Sequence, residues 1–254
     1  MAKYNINEKA ILTDSGGRTL VAETLTHTGT FTATNTIDTL SPDYFTNYFY
    51  SFQGSTSGYS SGGRSLPFGS GVYGNTIDKF PFSTDTNASD VGDLSTARGD
   101  ASGQSSDTNG YTSGGYFFPP GTVHNTIDKF PFSSDGNASD VGDLLVAAFY
   151  LVGQSSSQFG YVSGGALPTT TNTIQKFDFA TDANATDVGD LTQVRSNAAG
   201  QSSQSNGYTS GGLGIPIPST PKDTIDKFPF SSDANATDVG NLTQSRYTSS
   251  GQQV

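Results

Sequence analysis

Four near-copies of one sequence unit, running from residue 58 to residue 242, constrain this chain more than any other feature. Each copy contains Gly-Tyr-(Ser/Thr/Val)-Ser-Gly-Gly, a variable stretch, (Asn/Asp)-Thr-Ile-(Asp/Gln)-Lys-Phe-(Pro/Asp)-Phe, and Asp-x-Asn-Ala-(Ser/Thr)-Asp-Val-Gly-(Asp/Asn)-Leu. Equivalent residues recur every 47 to 52 positions, as in the tyrosines of the first block: Tyr59, Tyr111, Tyr161 and Tyr208. Such a repeat predicts that each unit is one supersecondary element that buries its apolar surface against the next copy.

The units are predicted to be all-β. Gly, Ser, Thr, Asn and Asp dominate each copy, and no apolar i, i+3, i+4, i+7 pattern persists for three turns. Each copy instead predicts four strands, of which the second carries the tyrosine and the third is Thr-Ile-Asp-Lys-Phe. In that third strand Ile77 faces one side and Phe80 and Phe82 the other, so each sheet is expected to lie between two others. The prolines that follow, at 81, 131 and 229, are predicted to lie at a strand end or a bulge.

These residues resemble the kelch family of β-propellers. The resemblance rests on Ser-Gly-Gly closing the second strand and on an arginine opening the first (Arg98, Arg195, Arg246), and it covers residues 45–254. It implies blades at about 45–94, 95–144, 145–191 and 192–242, followed by a closing strand at 246–254. The chain has no Trp where kelch repeats carry one in the fourth strand. A valine, or the leucine after it, is expected to fill that space: Val91, Val141, Val188 and Val239.

Two arrangements of the ring are open. In the favoured one, residues 1–44 join 246–254 in a composite fifth blade, because residues 13–17 echo the second strand and residues 35–40 echo the third. Joining both chain ends in one blade leaves no exposed sheet edge. In the alternative, four blades form the ring and residues 1–44 are a docking arm.

The composition excludes several function classes. A net charge of -11 argues against binding nucleic-acid phosphates, which requires a basic surface. The chain has no Cys, which excludes disulfides, thiol chemistry and the cysteine-linked copper radical of galactose-oxidase-like kelch enzymes. Neither export nor membrane insertion is expected, because no signal-like segment and no run of 18 apolar residues occurs. His27 and His124 are too few for a histidine metal cluster, and the chain is predicted not to be an enzyme.

The Asp-x-Asn turns are the candidate metal sites. Oxygen ligands at this spacing suit calcium, which makes Asp135, Asn137 and Asp140 weak calcium candidates. The turn also resembles a degenerate Asp-box of sialidase-like propellers. The favoured interpretation is that these side chains cap their own backbone and stabilise a turn, so no cofactor is predicted.

The copies differ most in the loop between the second and third strands. Antiparallel pairing places this loop on the same face as the connection from one copy to the next, and loops of this kind commonly carry recognition. The apolar segment 144–152 is expected either to join the aromatic loop in one patch or to repack one contact between blades. The predicted binding residues, expected to contact a partner or else to form a lid, are Tyr116, Phe117, Phe118, His124, Phe149, Ile215 and Ile217.

Near-identical repeats with Asn-Thr-Ile-Asp-Lys-Phe and Gly-Tyr-Thr-Ser-Gly-Gly are similar to kelch-type proteins encoded by tailed phages, especially those of aquatic bacteria. The resemblance implies a virion structural protein, a fibre, appendage or decoration component that mediates assembly and host attachment. The implied partners are other virion proteins of the capsid or tail, further copies of this chain, and a host surface glycan. The competing interpretation is a bacterial carbohydrate-binding or adhesin propeller.

Overall fold

The computed structural model describes residues 54, 56–65, 72–166, 170–214 and 220–253 in full, and the backbone of three short strands before residue 21. All regular structure in these ranges is β-strand. No helix in them is long and apolar enough to cross a membrane. The chain divides into two units, Met1–Phe45 and Thr46–Val254. In the first, β1 (Lys3–Ile6), β2 (Lys9–Thr13) and β3 (Thr19–Leu20) form an antiparallel sheet.

Four antiparallel sheets follow one another along the second unit, one for each sequence repeat. Sheet 1 consists of β4 (Ser57–Ser61), β5 (Thr76–Pro81) and β6 (Ser89–Asp93). Sheet 2 consists of β7 (Ser102–Ser105), β8 (Asn109–Ser113), β11 (Thr126–Pro131) and β12 (Ser139–Asp143), and its loop carries the hairpin β9 (Tyr116–Phe117) and β10 (Thr122–Val123). Sheet 3 consists of β13 (Val152–Ser155), β14 (Phe159–Ser163), β15 (Thr173–Asp178) and β16 (Thr186–Asp190). Sheet 4 consists of β17 (Ala199–Ser202), β18 (Asn206–Ser210), β20 (Thr220–Pro229) and β21 (Thr237–Arg246), with the short β19 (Leu213–Gly214) paired to the start of β20.

The predicted strand order is the observed one in sheets 2, 3 and 4, where the four strands of each repeat lie side by side. The stretch in which the first strand of sheet 1 was predicted lies largely outside the described residues. Pro81, Pro131 and Pro229 end their strands as predicted, because proline has no N–H to donate further along a ladder. Each third strand shifts register against the fourth one residue after its isoleucine, which leaves a bulge in the fourth strand.

The core lies between consecutive sheets, and each such contact is called a joint here. Joint 2–3 buries Tyr111, Ile127 and Leu144 of sheet 2 against Phe177 and Ala185 of sheet 3. The prediction that both faces of a sheet are apolar is therefore confirmed. Joints 1–2 and 3–4 repeat the pattern with equivalent residues.

The fourth-strand valines fill the joints, as predicted, in three of the four repeats. Val91 and Val141 pack against the core clusters, and Val188 is 9% exposed. Val239 is 47% exposed. It differs because no described sheet follows sheet 4.

The predicted closing strand at 246–254 stays a prediction. In the described residues β21 ends at Arg246, and 247–253 are not part of a strand. These residues nevertheless lie where a further sheet would begin. Gly212 N–H donates to Arg246 O at 2.8 Å, and Thr248 N–H donates to Asn197 O at 2.8 Å. Equivalent bonds join sheet 2 to the start of sheet 3, where Gly115 N–H donates to Ala148 O and Tyr150 N–H donates to Asp100 O.

A strand requires a hydrogen-bonded neighbouring strand, and no described strand lies beside residues 247–252 on the side away from sheet 4. The sequence echoes predicted to supply that neighbour, at 13–17 and 35–40, lie almost entirely outside the described residues. The composite blade therefore stays a prediction.

Candidate functional site

The loops after each second strand and the connections into the next sheet meet on one face of the second unit, as predicted. Isolated bridges join them in equivalent places: Gly99 to Tyr116, Phe149 to Ala166, and Ser196 to Leu213. This face is called the loop face. The Gly-Gly doublet that ends each second strand directs the chain there. Gly114 has φ +64°, and a Cβ on it would lie 2.7 Å from Ala148 O.

Five aromatic side chains form a cluster on the loop face: Tyr73, Tyr116, Phe117, Phe149 and Tyr150. Tyr73 lies 6.1 Å from Tyr116 and 5.5 Å from Phe117 between ring centroids, and Tyr116 lies 5.0 Å from Phe149. Tyr150 completes the cluster 4.6 Å from Phe149. Tyr73 and Phe149 are buried beneath the other three, which are half-buried. The cluster spans three consecutive repeats and is called the aromatic cluster below.

The structure brings together three of the predicted binding residues, Tyr116, Phe117 and Phe149. Phe118 lies beside them in sequence and is 47% exposed. Ile215 and Ile217 lie outside the described residues. Sequence reasoning did not name Tyr73, and it included Tyr150 only as part of the apolar segment 144–152. Both stand at positions that differ from copy to copy on the loop face, and that difference is the signal that would have found them.

His124 is half-buried and follows the hairpin strand β10 directly. Its backbone N–H donates to Gly115 O at 2.9 Å. Burial lowers the pKa of its imidazole, and the positive charge of Arg98 lowers it further. Its Nε2 has no hydrogen-bond partner among the described atoms. Burial therefore favours the neutral form of the ring. No ring contact joins His124 to the aromatic cluster among the contacts of the described residues.

Four non-glycine residues with left-handed backbone occupy one repeat position at the start of successive sheets: Asp100, Tyr150, Asn197 and Thr248, with φ between 53° and 57°. Each of the last three donates its N–H to the carbonyl of the one before. Non-glycine residues are uncommon in this conformation, and a bulky aromatic residue is the least suited to it. The backbone conformation at this position is the same in all four places, but the polar side chain that it carries differs each time.

Charged groups lie beside the aromatic cluster. The Arg64 guanidinium carbon is 5.9 Å from the centroid of the Tyr73 ring. Burial raises the pKa of the Asp100 carboxyl, and the nearby Arg64 opposes that rise. Burial, with a smaller contribution from the Asp100 charge, raises the pKa of the Tyr150 hydroxyl. This surface combines stacking faces with a cation and a carboxyl, which suits recognition of a ligand with apolar and polar parts.

The calcium candidates are engaged with protein partners. Asp135 Oδ1 accepts from Lys79 Nζ at 3.0 Å, and Asp140 Oδ1 accepts from the backbone N–H of Gly142 at 3.2 Å. Asn137 Oδ1 accepts from the N–H of Asp93 at 3.1 Å. The predicted capping of the local backbone thus holds for Asp140, whereas Asp135 and Asn137 bind the preceding sheet. In the ranges that the structure describes, no group of three or more His, Asp or Glu residues is arranged to hold a metal ion.

Two of the three arginines that open first strands hold strands together, whereas Arg246 is exposed. Arg98 and Arg195 are fully buried and pair with Asp128 and Asp226 of the third strand of the same sheet. Sheet 3 has Ala148 in place of the arginine and Gln175 in place of the aspartate. Gln175 Oε1 accepts from the N–H of Leu145 at 2.7 Å, as Asp128 Oδ2 accepts from Ser95 at 2.9 Å. Sheet 3 therefore lacks both members of the buried ion pair, and the amide of Gln175 keeps the hydrogen bond to the backbone N–H.

A groove of about 720 Å³ is lined by the first strands of sheets 2, 3 and 4. In each of these sheets the first strand is the edge opposite to the fourth strand. Gln104 and Gln154 line the groove, and each donates from Nε2 to a tyrosine carbonyl of the next sheet, at 3.3 and 3.0 Å. Gly251 and Gln253 line the same groove as residues 57–59 of β4. The amides of this groove act mainly in joining one sheet to the next.

Comparison with known proteins shows the fold alone. No protein-family model matches the chain, and no curated protein matches it. Among solved structures, YjhT, a β-propeller-like protein, is similar with a TM-score of 0.57 and 13% sequence identity. The match covers 73% of this chain and 66% of YjhT, so the chain spans just under two thirds of the length of that neighbour. The likeness supports a β-propeller-like, all-β fold built from small antiparallel sheets.

Proposed function

We propose that this protein is a non-enzymatic virion component, a fibre, appendage or decoration protein of a tailed phage that mediates assembly and host attachment through its loop face. The observation that carries the proposal is the aromatic cluster, which is assembled from variable positions of three repeats on a scaffold whose joints are constant. A surface that varies on a constant scaffold is suited to recognition.

The exposed part of the loop face is apolar enough to bind a partner. Phe118 follows the cluster residue Phe117 and is exposed, and Leu145 and Val146 are exposed in the connection that leads to Phe149. Pro119 and Pro120 follow Phe118 directly and restrict its loop, so little conformational entropy is lost when a partner binds. The partners of this proposal are capsid or tail proteins, further copies of the chain and a host surface glycan.

The non-enzymatic part of the proposal is supported by how the polar side chains are used. The buried arginines pair with buried aspartates, and the Asp-x-Asn turns bind the preceding sheet. These groups stabilise contacts between strands and sheets, which is the pattern of a scaffold.

The finer architecture belongs to the same proposal. We infer that the four sheets are kelch-like blades, because the Gly-Gly doublets of the kelch resemblance occupy equivalent positions in all four and its buried arginines occupy equivalent positions in sheets 2 and 4. The two predicted ring closures, a composite fifth blade or four blades with a docking arm, are tested by the truncation described in the Discussion.

The proposed role is tested with a Phe117→Ala/Phe118→Ala variant and with Asp107→Ala as a matched control on the opposite face. If the loop face binds a virion partner, the double variant melts close to the wild type but is not incorporated into phage particles, as measured by mass spectrometry of purified virions. The control is incorporated normally. A double variant that is incorporated normally, or a wild-type protein missing from virions, contradicts the proposal.

The carbohydrate-binding interpretation is favoured by one observation, the position of Arg64 and Asp100 beside the aromatic rings. It predicts that the isolated protein binds glycans on an array and that Tyr116→Ala removes this binding. Glycan binding by a protein that no virion contains would favour the bacterial adhesin.

A further inference from the structure

One position of the repeat carries a side chain where the backbone favours glycine. Asp100, Tyr150 and Asn197 each lie two residues before a first strand, and Thr248 stands at the same repeat position. Their φ angles lie between 53° and 57°, in the left-handed region. Among the residues that the structure describes, positive φ otherwise occurs only at glycine. These four residues are called the rim below.

The rim keeps its side chains at a cost in free energy. Glycine adopts left-handed backbone without strain, Asp and Asn tolerate it, and a bulky or β-branched residue such as Tyr150 or Thr248 is unfavourable there. The chain has 31 glycines and uses them at the other positions of positive φ, such as Gly114 and Gly115. The backbone geometry therefore does not account for the residue types of the rim.

A shared role in the framework does not account for them either. The joints are built from the same residue types in every repeat, whereas the rim carries a carboxylate, a phenol, an amide and a hydroxyl. The framework uses only the rim backbone, because Tyr150, Asn197 and Thr248 each donate an N–H to the carbonyl of the preceding rim residue, at 2.9, 3.1 and 2.8 Å. The differing side chains are thus left for another role.

The rim forms a continuous arc on the loop face. The first strands that follow it are direct neighbours, because a Cβ on Gly153 would lie 2.3 Å from Gly103 O and one on Gly200 would lie 2.4 Å from Gly153 O. Backbone hydrogen bonds between neighbouring segments set them about 5 Å apart. Sheets 2, 3 and 4 therefore each present one rim side chain at a short, regular interval.

The polar groups of the rim are accessible. Asp100, Tyr150 and Asn197 are half-buried, and Thr248 is exposed. No hydrogen bond reaches the Asp100 carboxylate or the Tyr150 hydroxyl from the part of the chain that the structure describes. Asn197 Nδ2 makes one bond of 3.4 Å, to Ser196 Oγ. A ligand that supplies the missing hydrogen bonds is therefore favoured at this place.

The charges near the rim favour a neutral ligand. Burial raises the pKa of the Asp100 carboxyl and the positive charge of Arg64 opposes that rise, so the two groups lie near each other. Their charges offset, and Arg64 disfavours a cation beside Asp100. The net charge of -11 disfavours the approach of anions to the protein.

Tyr150 joins the rim to the aromatic cluster. Its ring lies 4.6 Å from that of Phe149, and the Tyr116 ring lies 5.0 Å from Phe149 on the same surface. Tyr150 and Tyr116 are both half-buried. Aromatic rings beside polar groups suit a molecule that presents C–H groups on one side and hydroxyl groups at its edge. A sugar ring has this form.

We propose that the rim binds a neutral saccharide, with Asp100 and Asn197 hydrogen-bonded to its hydroxyl groups and Tyr150 stacked on its apolar side. The proposal rests on the host-attachment part of the proposed function and names its ligand class. A carboxylate accepts from two neighbouring hydroxyl groups, and an amide both donates and accepts. Because the rim residues come from successive repeats, an oligosaccharide extends along the arc from one sheet to the next.

Binding is measured with the purified protein on a panel of neutral hexose and N-acetylhexosamine oligosaccharides and their sialylated and phosphorylated counterparts. The wild type is expected to bind neutral members of the panel, and calorimetry then gives the dissociation constants. Salt is expected to change these by less than about twofold, because no net charge is neutralised on binding.

The rim itself supplies variants that its backbone accepts. Asp100→Asn and Tyr150→Asn introduce the residue that stands at the same position in Asn197. Each is expected to weaken saccharide binding by about tenfold or more, because a charged acceptor or a stacking ring is lost. Asp107→Ala is the matched control, since it removes an exposed carboxylate from the turn between β7 and β8 on the opposite face. It is expected to bind like the wild type.

A glycine variant separates binding from folding. Asn197→Gly relieves the left-handed backbone and removes the amide. It is expected to melt at or above the temperature of the wild type and to bind the saccharide more weakly. A clear loss of stability would show that the Asn197 side chain supports the fold, which contradicts the proposal.

Three binding results also overturn the proposal. They are a wild type that binds no neutral oligosaccharide, one that binds only sialylated or phosphorylated members, and asparagine variants that bind like the wild type. Virion incorporation is a separate measurement. A protein that is incorporated into virions but binds no neutral saccharide overturns this inference alone, and a saccharide-binding protein that is missing from virions overturns the virion role alone.

Discussion

At the scale of single residues, the most informative feature is a charge pair buried in two repeats and replaced in a third. Arg98 and Asp128 are completely buried, and burial lowers the pKa of the arginine while the aspartate opposes that shift. Sheet 3 folds with Ala148 and Gln175 at the same positions. The fold therefore does not require the buried arginine–aspartate pair. It requires only that neither charge is buried without its partner.

This comparison predicts an unequal pair of mutants. Arg98→Ala leaves Asp128 buried without its cation and is expected to lower the free energy of unfolding by about 3–5 kcal/mol. Arg98→Ala/Asp128→Gln reproduces sheet 3 and is expected to recover most of that loss. Urea unfolding measures both, and a double variant less stable than the single one would contradict the argument.

His124 predicts a pH dependence with a defined sign. Burial depresses the pKa of its imidazole in the folded protein below the ordinary value of about 6.5. The neutral ring is then compatible with the fold above that value, and stability is lost as the pH falls through 6.5 towards the lower folded pKa. His124→Gln removes this contribution, so the difference in unfolding free energy between wild type and variant is expected to change between about pH 7 and 5. If the difference in unfolding free energy stays constant over this range, the pKa of the His124 imidazole is not depressed in the folded protein.

At the scale of elements, the Asp-x-Asn turn is the structural part that links one sheet to the next. Gly142 lies in the bulge facing this turn, with φ +159°, and a Cβ on it would lie 2.5 Å from Ala183 O of the next turn. The repeat therefore keeps a glycine opposite each turn. The asparagine of the turn then reaches a backbone N–H across the joint.

Removal of that contact has a matched control within the chain. Asn184→Ala is expected to destabilise the protein by about 0.5–1.5 kcal/mol, because the N–H of Asp143 loses its acceptor. Asn87→Ala removes the equivalent side chain from sheet 1, where it bonds to no described residue, and is expected to leave the stability unchanged. Thermal melting of the two variants tests this, and equal losses would show that Asn184 acts only within its own turn.

The sequence allowed the strands, their order and the strand-ending prolines to be predicted, because these depend on local patterns and on the repeat. It did not reveal that Asn137 and Asp135 bind the preceding sheet, because their spacing fits a local turn equally well and the partners lie about 40 to 60 residues away. Tyr73 was missed for the same reason, since its ring contacts in the aromatic cluster, Tyr116 and Phe117, come from another repeat.

At the scale of the whole molecule, truncation of the chain end distinguishes the two predicted ring closures. Deletion of residues 247–254 removes the hydrogen bonds of Thr248 and Gln253 to sheet 4 and the start of the next sheet. Cooperative destabilisation of the whole domain is expected if both chain ends share a composite fifth blade. If the ring instead has four blades and a docking arm, the melting temperature is expected to change little, because joints 1–2 and 2–3 do not include these residues. Calorimetry distinguishes the two closures.

The equality of the three joints also bears on how such a gene changes over generations. Residues 95–144 carry both members of the Arg98–Asp128 pair, so a repeat that is copied or lost takes its buried charges with it. Both of its outer faces fit any neighbouring repeat. Unequal recombination between near-identical segments would therefore lengthen or shorten the protein by whole sheets without leaving a mismatched core, and each exchange would bring a different loop to the recognition surface.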